Sequence, residues 1–332
     1  MATIYDVARR AKVSTYTVSA VINRSAYVSP ELTERVLEAV KALDYTPNEL
    51  ARGLPTRKTR TIGMLIPDIA NPFYGKVVRG VEDRLREDGY SLILGNTYND
   101  PEHQSRYLNL FRAKQTDGFV LFSAAGAEDE MQRLIALKKP VVFVGRLPKG
   151  IACDSVTADN VKGGRLVTEY LIQQGHKRIA IASGQRTLSA SADRIQGWRQ
   201  ALRKARLSPR DEFVGEGDWT ADSGRHLAHQ FLNLDEPPTA IFAANFLMMT
   251  GVLRALKERN LSCPDDVEVV SSDDSDWLDV FGPPVSTVVT DSYAMGHQAA
   301  EMLLKRIEKP GRKTQNVVLS PELRIRKRGV TA

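Results

Sequence analysis

At 332 residues, with 42% hydrophobic and 26% charged residues, the chain has room for two or three domains and the balance of an ordinary soluble globular protein. Two cysteines, Cys153 and Cys263, exclude a disulfide framework and a cysteine-rich metal site, and no run approaches the roughly 18 apolar residues of a membrane span. The net charge of +6 gathers at the front, where residues 1–60 hold ten Lys or Arg against six Asp or Glu, a difference of +4 that favours a phosphate-bearing partner.

The first 45 residues predict three short helices. Thr3, with Asp6 three positions on, caps the first, and Val7, Ala8 and Ala11 give it an apolar side. Lys12-Val13-Ser14 makes a tight turn, and Ser14 caps a second helix over 15–23, with Val18, Val21 and Ile22 facing inward. That helix is expected to expose Thr15, Tyr16, Thr17, Ser19 and Ala20, short or polar side chains that let a helix lie close to base edges. Ser29-Pro30-Glu31 is a strong start for a third helix, carried on by Leu32, Val36, Val40 and Leu43 at helical spacing. Two helices joined by a tight turn, with a third closing the core, describe a helix-turn-helix unit.

Residues 46–60 change character. About two helical turns fit between Asn48 and Leu54, but Gly53 weakens them and Pro55 ends them, so the segment reads as a linker that orders only with a partner. From Thr61 onward, short apolar runs at 62–66, 92–94, 119–122, 141–144, 179–182, 240–243 and 267–270 alternate with helical segments such as 73–87, 161–173, 196–205 and 247–257. This pattern predicts an α/β fold with parallel sheets covered on both faces. About 270 residues of it suit two lobes with a cleft, where ligands bind outside the carboxyl ends of the strands.

At this point the order of residues becomes recognisable. The stretches 3–23, 28–54 and 59–74, followed by Asp159-Asn160, Gly163-Gly164, the 175–179 segment, Arg194 before Gly197-Trp198, and Asp273-Asp274, resemble the lactose/galactose repressor family of bacterial regulators over nearly the whole chain. The first 120 residues are most similar to its purine-repressor branch. The resemblance implies a helix-turn-helix headpiece over 1–46, a hinge helix and linker over 47–60, and a two-lobed domain over 61–332 like a periplasmic sugar-binding protein, with doubly wound parallel sheets. One lobe is expected over about 61–158 and 290–318, the other over about 159–289 and 319–332. It also implies a homodimer, or a dimer of dimers, on a near-palindromic double-stranded DNA operator, controlled by a small-molecule effector; the two cysteines and the lack of a secretory signal's apolar stretch in the first residues point to a cytoplasmic protein.

Carried over position by position, Thr15, Tyr16 and Ala20 fall where members read major-groove bases, and Thr17, Asn23 and Arg52 complete the expected DNA contacts. Leu54 falls where a leucine wedges into the minor groove. Phe73, Tyr74, Ser123, Arg194, Trp219, Asn245 and Asp273 match effector-contact positions. Their chemistry suits a sugar or sugar derivative: Asp273 and Asn245 take paired hydroxyls, Arg194 offers a fork of donors, and Trp219 stacks on an apolar ring face. Leu188 and Ala190 stand where purine-binding relatives carry a basic and a hydroxyl residue, which argues against a purine. Phe246 in place of an acid after Asn245, and Ser271-Ser272 before Asp273, are further departures.

Enzyme motifs are missing: the sequence has no Walker loop, HExxH or GxSxG, and no GxGxxG after the first strand. The five histidines are scattered; His226 and His229, three apart, are better satisfied as solvated side chains than as zinc ligands, and Asp159-Asn160 and His176 suit structural roles at element entries. Neither cofactor nor metal is expected. A protein that only delivers a sugar would share the two lobes, but not the headpiece.

Overall fold

The computed structural model describes residues 2–23, 25–45, 59–147, 150–280 and 282–326. The chain divides into two units, Met1–Thr59 and Arg60–Ala332, each with its own core.

In the first unit, helix α1 (Ile4–Ala11) begins at a reciprocal cap: the Asp6 amide donates to Thr3, and the Thr3 amide donates to the Asp6 carboxylate at 3.0 Å. Lys12, at φ 51°, turns the chain out of α1. Helix α2 (Thr15–Asn23) starts where the Thr17 amide donates to Ser14 Oγ at 3.0 Å. Ser29 caps α3 (Pro30–Ala42), whose first residue is the proline. Val7, Ala8, Ala11, Val18, Val36 and Ala39 form the core of the three helices. Arg35 of α3 donates at 2.6 Å to the Ala11 carbonyl, one of the acceptors that the end of α1 leaves open.

The second unit runs β1 (Thr61–Ile66), α4 (Pro72–Glu87), β2 (Ser91–Asn96), α5 (Pro101–Ala113), β3 (Gly118–Leu121), α6 (Glu128–Ala136), β4 (Val141–Val144) and β5 (Asp154–Ala158). It continues with α7 (Asn160–Gln173), β6 (Ile179–Gly184), α8 (Ser189–Lys204), β7 (Val214–Gly217), α9 (Ala221–Leu232), β8 (Ala240–Ala243), α10 (Phe246–Glu258), β9 (Glu268–Ser271) and β10 (Ser286–Val289). The chain then returns through α11 (Ser292–Glu308) and β11 (Asn316–Leu319) and ends on β12 (Glu322–Arg324). One six-stranded sheet has the order β11-β5-β4-β3-β1-β2 and is wholly parallel. The other has the order β12-β10-β9-β8-β6-β7, parallel except where β12 runs against β10. The chain crosses between the sheets after β5, after β10 and after β11.

Strand order reverses between β1 and β3 in the first sheet and between β6 and β8 in the second. The loops leaving these strands diverge to opposite faces, so a crevice opens at their carboxyl ends. Glycines fix how the covering helices lie. A Cβ on Gly80 of α4 would lie 2.1 Å from the Tyr293 carbonyl oxygen of α11, and one on Gly296 of α11 would lie 2.0 Å from that of Val77. In the second lobe, a Cβ on Gly164 of α7 would lie 2.2 Å from the Arg194 carbonyl oxygen, so this close approach sets the height of Arg194 along α8.

Candidate ligand cleft and nucleic-acid interface

A cleft at the carboxyl ends of both sheets has a cavity of about 120 Å³, lined by side chains that follow β1, β3, β4, β8 and β9. A cavity needs only about 10–15 Å³ of such space to hold one water, so this one has room for a small polar ligand. Phe73, Tyr74, Arg194, Trp219, Asn245 and Asp273, all picked from the sequence, line it together. Ser123 does not line it: that hydroxyl is buried and donates to the Ala124 carbonyl at 3.2 Å, because the chain turns away after Phe122 toward Gln104 of α5, which accepts from the Ala124 amide. Phe122, one residue earlier, lines the cavity.

The apolar wall is a cluster of edge-on rings: Tyr74 stands 5.2 Å from Phe73 and 5.0 Å from Phe122, centroid to centroid. Asn71 joins the lobes. Its Oδ1 accepts from the Phe73 amide at the start of α4, and its Nδ2 donates across the cleft to Asp273 Oδ2 at 3.3 Å. Lys76 and Asp276 pair across the cleft mouth at 3.3 Å. Asp273 also accepts from the Phe246 amide at 3.4 Å, the first of α10. Burial pushes the Asp273 carboxyl above the usual carboxylate range; Arg194, the Asn71 amide and the Phe246 amide pull against it.

Asn245 is more committed than its sequence context suggests. Its Oδ1 caps α10 by accepting from the Met248 amide at 2.7 Å, and its Nδ2 donates to the Trp219 carbonyl at 3.0 Å. That second bond holds Trp219 at φ 74°, a left-handed conformation costly for a side chain of this size. One face of the indole lies against Gly184, where a Cβ would meet it at 2.0 Å, and the Arg194 guanidinium sits 5.7 Å from the ring centroid. Leu188 is buried outside the cleft wall and Ala190 lines it without a polar group.

Arg146 is a cleft residue that the sequence did not single out. It is 7% exposed, lines the cleft, donates to Asn99 Oδ1 at 2.8 Å and faces Tyr74, whose phenol burial pushes up and Arg146 pulls down. One signal does mark it: Arg146 follows β4 by two residues, at the strand end where such folds hold ligands. Asn160 is more than a helix entry, since it lines the cleft beside the cap residue Asp159. His176 is structural, between Thr239 and Glu268. Among the described residues no cluster of His, Cys, Asp or Glu suits a metal ion, and no helix is long and apolar enough to cross a membrane.

On α2, Tyr16 is 74% exposed, and Thr15 and Thr17 are half-buried beside it. Ala20 departs from expectation. It is 2% exposed, at the floor of a depression walled by Val21, Tyr27 and Val28. Its methyl is too short to clear these neighbours, so it does not stand on the exposed face as expected from the sequence. Asn23 donates to Ser19 Oγ at 3.0 Å and leaves its own Oδ1 buried without a partner. Arg52 and Leu54, and with them nearly all of the expected hinge, lie outside the described residues.

A helix-turn-helix unit on a chain with a two-sheet cleft domain defines a DNA-binding transcription regulator with a ligand-binding domain. Residues 3–48 match the bacterial regulatory proteins of the lacI family, and residues 59–327 match the periplasmic binding proteins and sugar binding domain of the LacI family. The chain belongs to the LacI family; it is a regulator and not an enzyme. It is 35% identical over 328 residues, 98% of each chain, to the HTH-type transcriptional repressor PurR of Histophilus somni (strain 2336). Among solved structures, it resembles a CelR transcriptional regulator–cellobiose complex with a TM-score of 0.75 and 33% identity over 99% of this chain and 100% of that one. It resembles the lac repressor dimer bound to operator and the anti-inducer ONPF with a TM-score of 0.85 and 28% identity over 98% of each chain.

Proposed function

We propose that this protein is a repressor that binds a near-palindromic double-stranded DNA operator as a homodimer in the cytoplasm, and that a sugar or sugar derivative held between the lobes sets its operator affinity. The observation that carries this reading is a cavity at the carboxyl ends of both sheets, lined by buried charged side chains, on a chain that also carries a helix-turn-helix unit. The cellobiose in the CelR complex supports the ligand class. On this reading Asp273, Asn71 and Asn245 meet hydroxyls, Phe73, Tyr74 and Trp219 meet the apolar faces of the ligand, and Thr15, Tyr16, Thr17, Asn23, Arg52 and Leu54 meet DNA. A ligand shifts the operator equilibrium only by its differential affinity for the two lobe arrangements, typically about 1–3 kcal/mol. A carrier that merely delivers a sugar has no use for the headpiece.

The test is an operator selected by the protein from genomic fragments, titrated with and without sugars that raise its melting temperature. A ligand at 100 times its dissociation constant adds about 2.7 kcal/mol of stability, so binding is readily seen. Arg194→Ala and Asp273→Ala are each expected to abolish the ligand response while operator binding persists, through loss of charge-assisted hydrogen bonds worth roughly 1.5–3 kcal/mol. A ligand response that survives both substitutions, in folded variants, removes the cleft from the mechanism.

A further inference from the structure

We propose that the molecule bound in the cleft is an acid: a hydroxylated body carrying a carboxylate or phosphate that Arg146 and Arg194 hold. This rests on the cleft reading above and narrows its ligand from sugars in general to sugar acids and sugar phosphates.

The charges lining the cleft do not balance. Lys76 is paired with Asp276, and Asp274 is paired with Arg324 and Arg326 at 2.8 and 2.7 Å. That leaves two guanidiniums, Arg146 and Arg194, and one carboxylate, Asp273. Among the described residues neither guanidinium has a carboxylate within 4.0 Å, and Arg194 makes no hydrogen bond. Asp193, its neighbour in the chain, is not part of the lining. Two like charges in a desolvated crevice repel, and an unpaired buried charge is costly unless a counter-ion arrives.

The unmet hydrogen bonds point the same way. Arg146 Nη1, Trp219 Nε1 and Ser272 Oγ are buried without a partner, and all three residues line this cavity. Guanidinium and indole nitrogens only donate. The cleft therefore lacks acceptors, which the oxygens of a carboxylate or phosphate supply, and a flat guanidinium matches both groups in a two-pronged bond. Asp273, facing Arg194 with Asn71, takes hydroxyls of the body.

The experiment is a thermal-shift screen of the full chain, followed by calorimetric titration, with matched probes: D-glucose, D-gluconate, D-glucuronate and D-glucose 6-phosphate, and the same series for galactose and ribose, at constant ionic strength. At least one acid or phosphate is expected to bind ten times more tightly than its uncharged parent. Acids against phosphates tells the two anions apart. Arg146→Gln is expected to weaken that probe at least tenfold, and Arg146→Lys, which keeps the charge, to weaken it less. The proposal is overturned if an uncharged parent binds as tightly as its charged forms, if no charged probe binds, or if Arg146→Gln, folded by circular dichroism, binds like the parent protein. An uncharged sugar lost in Asp273→Asn and kept in Arg146→Gln removes the acid and leaves the cleft as the ligand site. A bound probe indifferent to both substitutions removes the cleft as well.

Discussion

Asp273 carries a conflict between stability and ligand binding. The residue is 9% exposed, and the net effect of burial, Arg194, Asn71 and the Phe246 amide is a pKa raised above the ordinary 3.8. In the window between that value and the raised one, the folded protein holds a proton that the unfolded chain has lost. Stability therefore falls as pH rises through the window. Asparagine keeps the shape and an acceptor for Asn71 and Phe246 while removing the charge. Asp273→Asn is expected to melt at pH 7 no lower than the unliganded parent, with any advantage closing on acidification toward 3.8. A melting temperature several degrees below the parent's at pH 7 would mean that the attraction to Arg194 outweighs burial. The residues of this cleft are unevenly legible in the sequence. Asp273, just past β9, and Arg194, within α8 before Gly197-Trp198, stand in distinctive sequence contexts. Asn245 is legible as a ligand contact and lines the cleft, but its further work as a helix cap and as the clamp on Trp219 is not legible. Arg146 looks like any basic residue after an apolar strand, because its burial arises from Tyr74 and Asn99, which are distant in sequence.

Elements in this fold are held at heights set by glycine. The α4–α11 pair meets through Gly80 and Gly296, each facing a carbonyl of the other helix. Gly296→Ala gains up to about 1 kcal/mol of helix propensity. Its methyl would lie 2.0 Å from the Val77 carbonyl oxygen, so the helices must separate, a strain of roughly 1–3 kcal/mol. Overpacking wins, and Gly296→Ala should lower the urea midpoint. A methyl on Gly75, on the same α4, would meet nothing within 4 Å, so Gly75→Ala should raise the midpoint by the propensity gain alone. If both variants shift alike, backbone entropy and not close packing decides these positions. The same distinction explains which strands can be read from sequence. The central runs, β1, β3, β4, β6, β8 and β9, are buried on both faces and stand out as apolar blocks. Strands β7 and β12 lie at sheet edges, are short, and carry glycine or charged residues that discourage further pairing, so their sequences look like loops.

For the whole molecule, the charge gathered in residues 1–60 and the proposed two-fold reading of DNA make a joint prediction. Contacts to phosphates release counterions, so operator affinity should fall steeply between about 50 and 200 mM salt, linearly in log–log form. Two headpieces on one near-palindrome should bind far more tightly than one on an isolated half-site, since the second contact is made without a second loss of translational freedom. Leu54→Ala separates mechanical from electrostatic work. Leucine carries no charge and contributes nothing to counterion release. Alanine favours a helix at least as well as leucine. Loss of propensity therefore cannot explain a defect, whereas a wedge too short to fill an opened base step can, with unstacking costing a few kcal/mol. The expected result in anisotropy titrations is a drop in operator affinity on the order of tenfold or more, a smaller bend, and an unchanged salt slope with unchanged affinity for random DNA. Operator binding equal to the parent's, with the same bend, would leave residues 46–60 as a plain linker, and equal affinity for half-site and full site would remove the dimer.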